Sequence, residues 1–88
     1  MTAKAIILSE IDTKTSHNHS LYRIGITKDP DERKEYWGTK ETTKYWKQWL
    51  ADSLADAQSI ETYFIQKKGM KGGEGGDVSA STKWVYVF

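Results

Sequence analysis

The chain has 88 residues, with 13 basic against 12 acidic side chains and no cysteine. This length predicts one small domain with a modest core, and the lack of cysteine excludes a disulfide framework and thiolate metal sites. The balanced charge excludes the overall positive field of many DNA-binding proteins, so any contact with nucleic acid must depend on a local patch.

We therefore expect residues 1–88 to form a single domain. No apolar run approaches the roughly 20 residues that span a bilayer. The apolar run Ala5–Leu8 near the N-terminus is too short for a signal peptide. These features predict a soluble, cytoplasmic protein without a membrane partner, and they leave its oligomeric state open.

The first half of the chain predicts two strands, a loop and a helix. Lys4–Glu10 is a short apolar run without alternation, which is typical of a central strand. Ile11–Ser20 is polar and predicts a loop, whereas Tyr22–Thr27 alternates with period 2 and predicts a strand. A helix is predicted over Pro30–Trp37, ended by Gly38 in a left-handed conformation.

The second half predicts one ambiguous segment, one clear helix and a final strand. Tyr45–Ala51 fits both helical and strand spacing, and its aromatic content favours a strand. Ser53–Lys68 has an apolar stripe at helical spacing and stops at Gly69. Lys83–Phe88 alternates as a strand, so the predicted fold is α+β in the order β-β-α-β-α-β, with three or four largely antiparallel strands flanked by helices.

Two segments have a composition that can bind ligands. His17 and His19 are two residues apart and could chelate a metal, but no cysteine or further histidine completes a set, so a solvated loop is favoured. The glycine-rich segment Gly69–Gly76 could surround an anion with backbone N–H groups. It lacks the order of a P-loop, and we favour a loop that returns the chain to the sheet, with a phosphate-approaching role left open.

A motif in the first half carries a resemblance to a known family. Tyr22–Thr27 reads Tyr-Arg-Ile-Gly-Ile-Thr, and it is followed by Asp29-Pro30 and by Arg33. Ala57 and Glu61 follow later, four residues apart. The pattern resembles the GIY-YIG endonuclease superfamily, and most closely the phage-type branch that writes its second motif Tyr-x-Ile-Gly-x-Thr with a downstream Asp-Pro and Arg.

The resemblance implies a GIY-YIG-like fold and a metal-dependent phosphodiester hydrolase acting on DNA or RNA. In that family a tyrosine on the early strands activates water, an arginine stabilises charge on the phosphate, and a glutamate holds Mg²⁺ or Mn²⁺. Arg33 matches the arginine and Glu61 matches the metal-binding glutamate. This assignment agrees with the physical chemistry, because a guanidinium matches phosphoryl oxygens and a divalent metal neutralises their developing charge.

The chain also departs from the family pattern at its tyrosines. Lys4–Glu10 contains no Gly-Ile-Tyr, and Arg23 stands where the second motif has a tyrosine, two residues before Gly25. Tyr22 lies on the opposite face of its strand by alternation. The candidate catalytic residues are Arg33, Tyr22 and Arg23, the candidate nucleic-acid contacts are Arg23, Arg33, Lys71, Gly72 and Gly73, and the candidate metal ligand is Glu61.

Three hypotheses follow from these residues. In the first, the chain is a divergent nuclease that uses Tyr22, a histidine or metal-bound water as base. In the second, it is an inactive domain that still binds nucleic acid. In the third, it is a protein-interaction module on the same scaffold. The missing tyrosines count against the first hypothesis, the near-neutral charge counts against the second, and the pair of arginines counts against the third. The tryptophans Trp37, Trp46 and Trp49 fit core packing or an interface.

Overall fold

The N-terminal segment that the sequence presents as a strand is a helix. A computed structural model describes residues 1–73 and 78–88, and in it α1 spans Lys4–Thr15. Ile7, Ile11 and Thr15 are fully buried and lie four residues apart, which is the spacing of one helical face. The prediction of a strand over Lys4–Glu10 is therefore wrong.

The predicted loop over Ile11–Ser20 is wrong in its first half, because α1 continues to Thr15. The buried hydroxyl of Thr15 donates to the Ile11 carbonyl oxygen at 2.8 Å, so a polar residue can complete the apolar face of the helix. A short 3-10 helix, His19–Leu21, then leads to the first strand.

The remaining elements follow the predictions, apart from one short strand in the glycine-rich segment that was predicted as a loop. Strand β1 spans Arg23–Thr27, helix α2 spans Pro30–Gly38, strand β2 spans Lys47–Leu50 and helix α3 spans Leu54–Lys68. Strand β3 is the short segment Lys71–Gly72, and strand β4 is Trp84–Val87. The ambiguous segment Tyr45–Ala51 is thus a strand at its centre.

Side-chain caps start α2 and α3, and glycine ends α3. The Asp29 side chain accepts from the Glu32 N–H at the start of α2, and the Ser53 side chain accepts from the Asp56 N–H at the start of α3. Gly69 ends α3 in the left-handed conformation with φ 77°. Gly38 was expected to do the same for α2, but it is the last helical residue and the right-handed Thr39 is the cap.

The four strands form a mixed sheet in the order β2-β4-β1-β3. Strand β4 is antiparallel to both β1 and β2, whereas β3 is parallel to β1. The α+β class with helices flanking a four-stranded sheet is confirmed. The order β-β-α-β-α-β is wrong, because the first element is a helix and a short strand follows α3. The last strand is antiparallel as expected, but it lies in the middle of the sheet.

The two faces of the sheet are covered differently. One face packs against α1 and α3, where Ile24, Val85 and Val87 join the buried side chains of the helices in one core cluster. On the other face, Trp37 of α2 contacts the sheet, with its ring 5.6 Å from that of Phe88. None of the helices in the described residues is both long and apolar enough to cross a membrane.

The burial of α1 can be tested with two adjacent isoleucines. Ile7 is fully buried, whereas the side chain of Ile6 is 51% exposed. We expect Ile7→Ala to lower the free energy of unfolding by about 2–5 kcal/mol, because it leaves a cavity. Ile6→Ala should change it by less than about 0.5 kcal/mol. Equal effects of the two substitutions in urea unfolding would contradict the packing of α1.

Candidate active site

A polar pocket of about 320 Å³ lies where the end of β1, the start of α2 and the middle of α3 meet. Strand β4 contributes one side chain to it, Tyr86, and the segment after β3 contributes Gly73. Its charged lining residues are Lys28, Asp29, Glu32, Arg33 and Glu61. The pocket therefore contains both the arginine and the glutamate that the sequence singles out.

Tyr86 enters the pocket because residue 25 is a glycine. Gly25 and Tyr86 are directly opposite each other in the antiparallel pair of β1 and β4. A Cβ atom at position 25 would overlap the Tyr86 hydroxyl group and the adjacent ring carbon. The glycine of the Ile-Gly motif thus lets an aromatic ring lie across the neighbouring strand.

Two tryptophans fix the orientation of Tyr86. The Trp37 Nε1–H group donates to the Tyr86 Oη atom at 3.0 Å. The Trp46 ring stacks on the Tyr86 ring, with centroids 4.5 Å apart and planes 7° from parallel. Because Oη is the acceptor in the hydrogen bond with Trp37, the hydroxyl hydrogen of Tyr86 can donate to another acceptor.

The charges of the pocket act on Tyr86. Burial raises the pKa of Tyr86 above its ordinary value of 10.0. The hydrogen bond from Trp37 and the positive charges of Arg33 and Arg23 lower this pKa, and the Glu61 carboxylate raises it further. Net, burial prevails, so the phenol keeps its proton at neutral pH.

The turn before α2 positions Arg33 at the edge of the pocket. The Asp29 N–H donates to the Thr27 Oγ1 atom at 3.1 Å, and the Thr27 hydroxyl lies 3.2 Å from the Asp29 carbonyl oxygen. The Asp29 side chain then caps α2, whose first turn includes Arg33. The Gly-x-Thr and Asp-Pro parts of the motif therefore form one local structure, and this structure determines the position of the Arg33 backbone relative to β1.

Glu61 lies at the boundary of the buried face of α3. Its neighbour Ile60 and the preceding-turn residue Ala57 are fully buried, whereas Glu61 is half-buried and lines the pocket. Among residues 1–73 and 78–88, no three histidine, aspartate or glutamate side chains form a cluster for a metal. One carboxylate suits Mg²⁺, which keeps several waters and takes other ligands from phosphates.

The other predicted residues lie outside this pocket or at its margin. The guanidinium of Arg23 lies 4.4 Å from the Trp37 ring, and its Nε atom is 3.3 Å from a Glu41 carboxylate oxygen. Arg23 does not line the pocket, although its charge influences Tyr86. Tyr22 lies on the opposite side of β1, and its hydroxyl group is 3.3 Å from the His17 Nε2 atom.

The glycine-rich segment is only partly within the described residues. Lys71 is exposed and Gly72 approaches β1 closely, since a Cβ on Gly72 would overlap the Ile24 carbonyl oxygen. Gly73 lines the pocket with φ 79°. The predicted anion-binding role of Gly69–Gly76 falls in part on residues 74–77, which lie outside the described part of the chain.

The predicted histidine pair is divided between two partners. His19 Nε2 is 3.0 Å from an Asp12 carboxylate oxygen, whereas His17 contacts Tyr22. The two histidine side chains therefore contact different residues.

Sequence reasoning missed Tyr86, although a signal for it was present. The family pattern places its tyrosines on early strands, so the alternating segment Lys83–Phe88 was considered only as a strand. The glycine at position 25 indicated that a bulky group lies against β1, but only the strand order identifies that group. Comparisons of this chain with family models, with curated proteins and with solved structures gave no match.

The contact between Gly25 and Tyr86 leads to a test by paired glycine substitutions. We expect Gly25→Ala to lower the free energy of unfolding by about 1–3 kcal/mol, because the new methyl group overlaps the phenol. Gly38→Ala is the control, since a Cβ there meets nothing closer than 3.9 Å. It should leave stability unchanged or raise it by up to about 1 kcal/mol. If Gly25→Ala changed the free energy of unfolding no more than Gly38→Ala does, the contact between Gly25 and Tyr86 would be excluded.

The raised pKa of Tyr86 can be measured by following tyrosinate absorbance. The chain has five tyrosines, and we expect one to ionise at higher pH than the rest because it is buried. Tyr86→Phe should remove this late transition, whereas Tyr45→Phe, at a position 62% exposed, should reduce the main one.

The same shift predicts how stability depends on pH. Because the pKa of Tyr86 is higher in the folded state than its ordinary value of 10.0, the protonated phenol contributes stability to the fold below pH 10.0. This contribution is lost as the pH rises through the folded-state pKa. Relative to Tyr86→Phe, the unsubstituted chain should therefore lose stability above about pH 10. A late transition that persists in Tyr86→Phe would contradict the assignment.

Proposed function

We propose that this domain is a GIY-YIG-like, metal-dependent phosphodiester hydrolase that acts on nucleic acid. The observation that supports the proposal is the meeting of Tyr86, Arg33 and Glu61 around one pocket. These are the three side-chain types that the resemblance implies for the reaction. The tyrosine comes from the last strand of the chain instead of an early one.

Arg33 binds and orients the phosphate in this proposal. Its guanidinium group carries a permanent charge and a planar set of donors that fits two phosphoryl oxygens. The side chain is half-buried and lies over the Tyr36 ring, 5.4 Å from its centroid. This contact limits the conformations of Arg33 before the substrate binds, which reduces the entropy lost on binding.

Tyr86 orients the attacking water. Because burial raises its pKa, the phenol keeps its proton at neutral pH, so Oη acts through hydrogen bonds and not as the base. The water oxygen forms a bond to phosphorus while the P–O ester bond breaks; the water releases its proton to solvent, and the leaving oxygen takes up a proton from solvent. The hydrogen bond from Trp37 holds Oη in position during this displacement.

Glu61 is the residue that would hold Mg²⁺ or Mn²⁺. The bound ion supplies positive charge to the phosphate oxygens and the leaving group. The carboxylate and Arg33 line the same pocket, so a phosphate held by the arginine is within the same space as the glutamate.

Cleavage of labelled DNA and RNA in Mg²⁺ tests the proposal with matched variants. Glu61→Gln, Arg33→Lys and Tyr86→Phe should each reduce the cleavage rate by roughly 100-fold or more, because each removes one group from the transition state. Glu35→Gln, at an exposed position of α2 outside the pocket, should cleave at the rate of the unsubstituted chain.

The controls separate loss of chemistry from loss of fold. Tyr86→Phe leaves the Trp37 Nε1–H group without its acceptor, so its unfolding curve must show that it is folded at the assay temperature. Cleavage that survives Glu61→Gln and Tyr86→Phe would reject the proposed site. No cleavage by the unsubstituted chain in Mg²⁺ or Mn²⁺ would reject the hydrolase.

A further inference from the structure

A second pocket, of about 300 Å³, lies where the residues before β1 meet the residue after β4, and it is lined mainly by rings. Tyr22, Tyr45, Phe88 and His17 contribute their rings to it, together with Leu21. Glu41 and Thr42 supply polar groups at its margin. We call this cavity the aromatic pocket, and nothing in the proposed hydrolytic chemistry uses it.

The aromatic pocket exposes an unusual amount of apolar surface. Apart from Met1, Leu21 and Tyr45 are the most exposed large apolar side chains of the described residues, each at 62%. Both line this one pocket. Neighbouring exposed apolar side chains in one concave site indicate a ligand-binding surface more strongly than scattered ones do.

Positive charges lie beside these rings. The Lys44 Nζ atom is 5.5 Å from the centroid of the Tyr45 ring, and the Lys14 Nζ atom is 5.8 Å from that of Tyr22. Flat faces next to cations fit a ligand that combines flat rings with negative charge. A nucleotide has both, since its base stacks on aromatic side chains while its phosphate attracts lysine.

Two stacked rings connect the aromatic pocket with the proposed active site. Phe88 follows Tyr86 by two residues on the same face, and the two rings are 6.1 Å apart and 22° from parallel.

Polar groups of the aromatic pocket suit the edge of a base. Glu41 presents a carboxylate, which can accept hydrogen bonds from amino groups of bases. Its charge is balanced by Arg23, 3.3 Å away, so it does not simply repel a phosphate. The same arginine lies over Trp37, the residue that donates to Tyr86, so one guanidinium contacts a residue of each site's surroundings.

We propose that the aromatic pocket binds an unstacked base of a single-stranded nucleic acid. This inference rests on the proposed function and defines its substrate as single-stranded or locally opened nucleic acid. A paired base in an intact duplex presents its edges but hides its faces, so it cannot stack in the pocket.

Binding measurements in metal-free buffer with EDTA test this inference without cleavage. The probes are a short fluorescein-labelled DNA strand, its duplex, and a fully abasic strand of the same length. Tyr45→Ala should weaken binding of the single strand by roughly 5- to 100-fold, the effect of losing one stacked base. Tyr45→Phe should restore it, because the ring is retained.

Tyr63→Ala is the matched control. Tyr63 is also an exposed tyrosine with a lysine over its ring, Lys68 at 6.0 Å, but it lies on α3 outside the aromatic pocket. It should change binding by less than about twofold. The abasic strand should bind weakly and equally to the unsubstituted chain and to Tyr45→Ala, and the duplex should be insensitive to Tyr45→Ala.

The outcomes distinguish this inference from the proposed function. Equal effects of Tyr45→Ala and Tyr63→Ala, or undiminished binding of the abasic strand, would overturn the base pocket even if the protein cleaves nucleic acid. Binding of the single strand that depends on Tyr45, from a protein that cleaves nothing in Mg²⁺ or Mn²⁺, would support the pocket and reject the hydrolase. Binding of the duplex as tightly as the single strand would reject the assigned substrate class.

Discussion

The packing of Tyr86 across Gly25 is the contact on which the candidate site depends. It requires a glycine on β1, an antiparallel neighbour in the matching register, and Trp37 and Trp46 to hold the phenol from both directions. A side chain at position 25 would occupy the space of the Tyr86 phenol, so the same glycine is needed for the pairing of β1 with β4 and for the pocket that Tyr86 lines. The phenol is thereby held among charged groups in a buried setting, where electrostatic effects are stronger than in water.

A local turn performs the second part of the assembly. Thr27 and Asp29 join the end of β1 to the start of α2 through hydrogen bonds between residues two or three apart. These bonds hold the first turn of α2, and with it Arg33, in a fixed position relative to the strand. Glu61 lies on α3, which packs on the opposite face of the sheet from Tyr86. Its neighbour Ile60 is fully buried in the core. A short-range motif and a long-range packing contact thus converge on one pocket.

The sequence predicted those features that depend on neighbouring residues and missed those that depend on distant ones. The strand before Asp29, the helix that begins at Pro30, and the α3 helix with its glycine cap all follow from local patterns. Helix α1 was mistaken for a strand because Ile7 and Leu8 resemble a buried strand unless Ile11 and Thr15 are considered with them. Tyr86 was missed because its place beside β1 depends on the strand order, which no local pattern encodes.

The most direct test is an NMR titration of the labelled protein, first with Mg²⁺ and then with a short single-stranded oligonucleotide. Metal should shift the resonances of Glu61, and nucleic acid should then shift those of Arg33 and of the Tyr86 ring, with smaller changes at exposed residues of α1. If millimolar metal leaves Glu61 unchanged, or if nucleic acid perturbs neither Arg33 nor Tyr86, the three side chains do not form one functional site.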